Sequence, residues 1–145
     1  MLKNLYDNRI RPIAISIIKN QNKILVYKRE DEISKEKFFR LVGGCIEFGE
    51  RSEEALKREF QEELSLDIIN IQLLGIFESI FTFNNKQMHE IVYLYNSEFK
   101  AKNIYNKNNI KGYEGERKFD ASWVPVADFI NEKEIIYPEE ILKYL

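Results

Sequence analysis

Gly43–Leu66, GGCIEFGERSEEALKREFQEELSL, carries the strongest local signal in this 145-residue chain. Its paired glycines free the backbone at the start. From Ser52 to Leu64 the apolar residues Leu56, Phe60 and Leu64 recur at i, i+4 and i+8, which predicts a helix with one buried stripe. Ser52 suits the N-cap, and Glu53 and Glu54 set negative charge against the positive end of the helix dipole. On that helix Glu59, Glu62 and Glu63 fall at i, i+3 and i+4, within an arc of roughly 100° beside the apolar stripe. Like charges so spaced destabilise a helix by roughly a few tenths of a kcal/mol per pair. They also sit in its C-terminal half, where the dipole favours cations. A bound hard cation such as Mg2+, which takes oxygen ligands, would reverse both penalties. Read alone, the segment leaves open a solvated acidic face partly offset by Lys57 and Arg58.

Strand signals flank the helix on both sides. Ile13, Ile15 and Ile17 alternate, Asn20-Gln21-Asn22 is turn chemistry, and Ile24–Tyr27 returns as a second strand. Asp31–Lys37 reads as a charged loop before the apolar Phe38–Val42. Ile68–Phe83 reads as one long or two short strands with a bulge or bend at Gly75, and His89–Tyr95 follows after an Asn84-Asn85-Lys86 turn. Lys100–Lys118 is rich in Asn, Lys and Gly and reads as a polar loop. A short strand is expected at Trp123–Val126, then short helices near Val126–Asn131 and Pro138–Tyr144. Strands dominate around one strong helix, so the fold class is α/β or α+β.

Composition narrows the chemistry. The chain is 44% hydrophobic and 32% charged with a formal net charge of −2, an ordinary globular balance that does not reach nucleic acid through bulk positive charge. At about 150 residues per domain, residues 1–145 form a single domain. The lone Cys45 excludes an intramolecular disulfide and a cysteine-cluster zinc site, and the lone His89 excludes HExxH and other His-pair metal sites. No apolar run has the roughly 18 residues that a membrane span needs. The start, MLKNLYDNRIR, does not suit a signal peptide, so the expected location is cytoplasmic and reducing. The chemistry is left to carboxylates, Lys and Arg, hydroxyls and bound hard cations.

The acidic segment then resembles a known pattern. Gly44, five residues, Glu50, seven residues, then Arg58-Glu59-Phe60-Gln61-Glu62-Glu63-Leu64-Ser65-Leu66 is similar to the Nudix hydrolase box, G-x5-E-x7-R-E-U-x-E-E-x-G-U, in which U is apolar. Every fixed position matches except the last glycine, here Ser65. The preceding hairpin ending in VYKRE, the double glycine and the late WVPV segment extend the resemblance over most of the chain. It implies an α/β/α sandwich around a mixed sheet, with the box as loop-helix-loop, as in MutT-like members.

The resemblance implies roles as well. Glu59, Glu62 and Glu63 become the expected metal ligands, with the Gly43 or Gly44 carbonyl nearby, and Mg2+ or Mn2+ the expected cation. Glu59 doubles as a base for the attacking water, Arg58 orients these carboxylates, and Glu50 and Glu47 support the loop or contact a metal through water. Glu114 and Glu116 are candidates for a late acidic residue, with solvated side chains as the alternative. Arg29 matches a position that touches substrate phosphate, or is an ordinary strand-end charge. Glu90, beside His89, carries less weight as a residue pointing into the site. Ser65 at a left-handed position costs roughly 1 kcal/mol relative to glycine, and Val42 stands where a proline is common. The implied activity is hydrolysis of a diphosphate linkage in a nucleoside diphosphate derivative or a nucleoside triphosphate. A Nudix-fold nucleotide-binding or regulatory protein without turnover is the alternative. The expected partner is a small nucleotide-type substrate, with neither nucleic acid nor membrane expected and a homodimer left open.

Overall fold

A computed structural model describes residues 8–145; part of the N-terminal stretch read for a leader lies outside these residues. Strand β1 (Ile10–Asn20) runs through the centre of the molecule. Its alternation sorts side chains to two faces: Ala14 and Ile18 join one apolar cluster, while Ile13, Ile15 and Ile17 join the other. Gln21, at a φ of 57°, turns the chain into β2 (Lys23–Glu30). Short strands β3 (Lys37–Arg40) and β4 (Gly43–Cys45) follow, then helix α1 (Ser52–Leu64). The long hairpin β5 (Ile68–Phe83) and β6 (Lys86–Phe99) leads to a second hairpin, β7 (Asn109–Glu114) and β8 (Arg117–Pro125). Helix α2 (Val126–Ile130) and a 3-10 turn at Glu139–Tyr144 end the chain.

The strand order is β5-β6-β1-β2-β8-β7, with β4 on β1 and β3 on β2. Among the described residues β1 and β6 pair in parallel, in register from Ile10↔His89 to Ile18↔Ser97, while the other strand pairs are antiparallel, so the sheet is mixed. Leu56 and Phe60 of α1 are fully buried, and Leu64 nearly so, against one face. Burying each such side chain contributes about 1.5–3 kcal/mol. Phe129 of α2 and Ile141 of the terminal turn cover the other face. The α/β/α sandwich is therefore present, with one full helix on one side and a thin helical layer on the other.

Two local expectations are corrected. The residue preceding α1 is Arg51, in extended backbone with no side-chain cap, and Ser52 is already helical. The Ser52 hydroxyl instead pairs with the Tyr95 hydroxyl of β6 at 2.5 Å, tying the start of the helix to the sheet. Lys100–Lys118 is mostly ordered structure rather than a polar loop: a 3-10 turn at Lys102–Asn106, then β7 and its turn into β8. The inward positions of β7 are Ile110 and Gly112, and a Cβ on Gly112 would lie 2.5 Å from Phe119 and 2.8 Å from Leu64. A strand that packs through a missing side chain shows no apolar alternation in sequence. The bulge expected at Gly75 is present as a register shift between Leu73 and Gly75. Ser65 does adopt the left-handed conformation, with φ 56° and ψ 38°.

Candidate active site

Strands β1 and β2 pair only beside their turn, at Lys19↔Ile24 and Asn20↔Lys23. They then part, β1 toward β6 and β4, β2 toward β3 and β8. The opening is a cleft of about 610 Å³, walled by Ile13 and Ile15 on one side and Tyr27 and Arg29 on the other. The acidic edge of α1 closes one end. Volumes of this order suit small-molecule sites.

Arg58 organises that edge. Its Nε and Nη2 donate to both Glu50 carboxylate oxygens at 2.7 and 3.0 Å, a bidentate pair, and Nη2 also donates to the Cys45 carbonyl at 2.9 Å. Nη1 donates to Glu59 at 2.9 Å and to Glu62 at 3.1 Å. Glu50 further accepts the Glu47 N–H at 3.0 Å, which shapes the loop before the helix. Charge-assisted bonds of this kind are short and directional, so one guanidinium fixes loop and helix together. It holds the Glu50 carboxyl below its ordinary range, while donating to Glu50 holds Arg58 above its own.

The carboxylates differ in setting. Glu62 is 58% exposed, whereas Glu63 is 6% exposed, with its Oε2 buried and without a hydrogen-bond partner. Burial pushes the Glu63 pKa up to about 9, helped by the charges of Glu59 and Glu114. Burial also raises Glu59, against the pull of Arg58. Gly44 is needed where it stands, because a Cβ there would lie 2.4 Å from the Glu59 carboxyl carbon. At Gly43 the φ is 151°, and a Cβ would lie 2.1 Å from the Ala14 carbonyl oxygen.

Among the described residues, no three acidic, His or Cys side chains are already arranged about one point as a metal shell. Arg58 draws Glu59 and Glu62 toward itself instead. The donor set still fits a hard divalent cation: all-oxygen groups on adjacent turns, one of them buried with an unpartnered oxygen.

The remaining candidates are placed as follows. Glu47 is 68% exposed and 3.6 Å from Arg58. Glu114 lines the cleft with one oxygen 3.8 Å from Arg29, and Glu116 is exposed at the β7–β8 turn, outside the cleft lining. Glu90 reaches the cleft, but as a buried counter-charge: it accepts from Arg11 and, at 3.1 Å, from Arg40. Arg11, Arg40 and a Tyr27 whose phenol burial pushes up to about 12 also line the cleft. Sequence reading passed over these three. Arg40 between Phe39 and Leu41, a charge inside a buried run, was the available signal.

The NUDIX domain profile matches residues 8–145. The RNA pyrophosphohydrolase of Ruthia magnifica subsp. Calyptogena magnifica is 30% identical over 92% of this chain and 79% of its own length. The ADP-ribose pyrophosphatase of Methanocaldococcus jannaschii is 44% identical over 43% of this chain and 37% of its own. Overall the chain spans 26% to 79% of the length of curated relatives that it matches. A crystal structure of a MutT Nudix hydrolase from Burkholderia pseudomallei superposes with a TM-score of 0.68 at 20% identity, covering 92% of this chain and 95% of that one. The chain belongs to the Nudix family.

Proposed function

We propose that the chain hydrolyses a diphosphate linkage in a nucleoside diphosphate derivative or a nucleoside triphosphate, using Mg2+ or Mn2+. The observation that carries this reading is the gathering of Glu59, Glu62 and Glu63 at one end of a cleft whose opposite walls hold Arg11, Arg29 and Arg40. A diphosphate spans such a gradient, with its negative charge needing cations at both ends.

Glu59, Glu62 and Glu63 would hold the metal, with the Gly43 or Gly44 carbonyl as a further oxygen donor. When bound, the cation neutralises phosphate charge and makes water more acidic. Arg58 keeps Glu59 and Glu62 oriented and holds the preceding loop through Glu50 and the Cys45 carbonyl. Glu59, half-buried and raised in pKa, is suited to accept the proton of the attacking water. The water oxygen forms the new bond to phosphorus as the bridging oxygen leaves with its electron pair. Arg29 on β2 lines the cleft and would bind a substrate phosphate. Glu114, at the same mouth, is the candidate late acidic residue, while Glu116 stays in solvent.

Product chromatography tests the proposal on a panel including ADP-ribose, 8-oxo-dGTP, other nucleoside triphosphates and a triphosphorylated RNA, with Mg2+, with Mn2+ and with chelator. Metal-dependent cleavage at a diphosphate linkage, lost in Glu62→Gln, supports it. Silence on the panel, with a nucleotide still raising the melting temperature, favours a family member that binds without turnover.

A further inference from the structure

Helix α1 covers only part of its sheet face. Leu56, Phe60 and Leu64 share one apolar cluster with Ala14, Ile18 and Tyr95. Beyond Tyr95, toward the start of β6, the same face carries Tyr93, Ile91 and His89. The β5–β6 register sets Ile76, Glu78 and Ile80 directly across from these three, and Leu73 across from Tyr95; residues so paired share a face. The β6 members are half-buried, whereas Leu73, Ile76 and Ile80 are 47%, 53% and 61% exposed. Among the described residues β5 is an edge of the sheet. Its residues 76–83 pair with β6 in unbroken register and include no proline, lysine or arginine. Bulges, prolines and lysines are common devices that keep an edge from meeting another chain, and this half of β5 has none of them.

The loop between β4 and α1 borders this bare area. At one end the Ile46 N–H donates to the Pro12 carbonyl at 2.9 Å, and Pro12 is the β1 partner of Ile91. At the other end Ser52 meets Tyr95. Between these anchors Phe48 stands fully exposed, and Arg51, also exposed, follows three residues later. A protruding ring therefore lies beside an apolar strip. The ring has a cation on its loop, and the strip has a carboxylate, Glu78, between Ile76 and Ile80.

Phe48, Leu73, Ile76 and Ile80 leave on the order of 500 Å² of apolar surface in water, near the top of the range of about 300–600 Å² for the largest patch on a monomer. A standard interface buries about 800 Å² on each partner. The half-buried His89, Ile91 and Tyr93 and the polar margin supply the difference. A two-fold contact needs a surface complementary to itself. A ring and a strip on one face meet that condition: the rotation that lays Phe48 on the partner's β5 also lays the partner's Phe48 on this one. It brings each Arg51 toward a Glu78 across the axis. We propose that this face joins two copies of the chain in a two-fold homodimer, with Phe48 of each packed on the Leu73, Ile76 and Ile80 strip of the other. Nothing in this contact depends on the reaction that the cleft performs.

Sedimentation equilibrium of the full chain from about 1 to 100 µM tests it, with a thermal melt of every variant. The wild type should form a dimer in this range. Phe48→Asp and Ile80→Asp should each raise its dissociation constant at least about tenfold, the loss expected of a buried interface anchor. Ile130→Asp, on α2 over the other sheet face, should change it less than about threefold. Arg51→Glu should weaken the dimer, and adding Glu78→Arg should restore it, because the exchanged charges meet across the axis. Both of these side chains are exposed, so the charge exchange decides the matter even where an aspartate variant fails to fold. A chain that stays monomeric at 100 µM overturns the proposal and leaves the face to another segment of the chain or a different protein. A dimer that Phe48→Asp and Ile80→Asp leave unchanged overturns it too, as does a double variant that dimerises no better than Arg51→Glu alone.

Discussion

The acidic edge of α1 and the arginine wall opposite it contribute to the same cleft, yet they are built differently. Arg58, Glu59, Glu62 and Glu63 come from two turns of one helix, and the loop partner Glu50 lies only eight residues before Arg58. Arg11, Arg29, Arg40 and Glu90 come from four strands, with Glu90 79 residues from Arg11 and 50 from Arg40. One region is a local motif that needs only a helix to assemble. The other exists only once β1 has paired with β6 and β2 with β3. The acidic edge is therefore set by helix formation and the wall by tertiary pairing, and substitutions in the two should fail in different ways.

The largest effect is expected on the acidic side and on turnover alone. Glu62→Gln removes an exposed carboxylate, so the fold should persist while kcat drops by about 100-fold or more. Steady-state kinetics with a thermal melt checks both halves of that statement. On the opposite wall, Glu90→Gln should act first on stability. It leaves two guanidiniums without their buried counter-charge, and breaking such a pair costs about 3 kcal/mol or more. Urea denaturation reads it directly, and a loss below about 1 kcal/mol would erase the contrast.

The acidic side should also show a pH signature. Glu63 carries its proton to about pH 9 in the folded chain, against an ordinary value of 4.5. Its contribution to metal-free stability is therefore complete below about pH 4.5 and is lost as pH rises through 9. Melting temperature in chelator should fall over that window, and Glu63→Gln should flatten the slope. The smallest effect belongs to the helix end: Ser65→Gly relieves a left-handed serine and should add about 1 kcal/mol, seen as a rise of a few degrees in melting temperature.

Legibility followed the same division. Helix α1, its buried stripe, its acidic arc and the strain at Ser65 were readable because each depends on residues within a few positions of one another. The bounds of α1 were readable too, but the cap was not, because Ser52 spends its hydroxyl on Tyr95, a partner 43 residues away. Strand β7 escaped notice because Gly112 packs by being small. Glu90 was seen as a charge in an apolar strand, but its purpose depends on Arg11 and Arg40, which no spacing rule connects to it.

The central claim is that the carboxylates of α1 form a divalent-cation site. A Mg2+ titration at pH 8, followed by melting temperature in the wild-type chain and in Glu63→Gln, tests it most directly. The account predicts a saturable rise of several degrees in the wild type and at most a small fraction of it in the variant. No rise with Mg2+ or Mn2+, or an equal rise in both proteins, would contradict it.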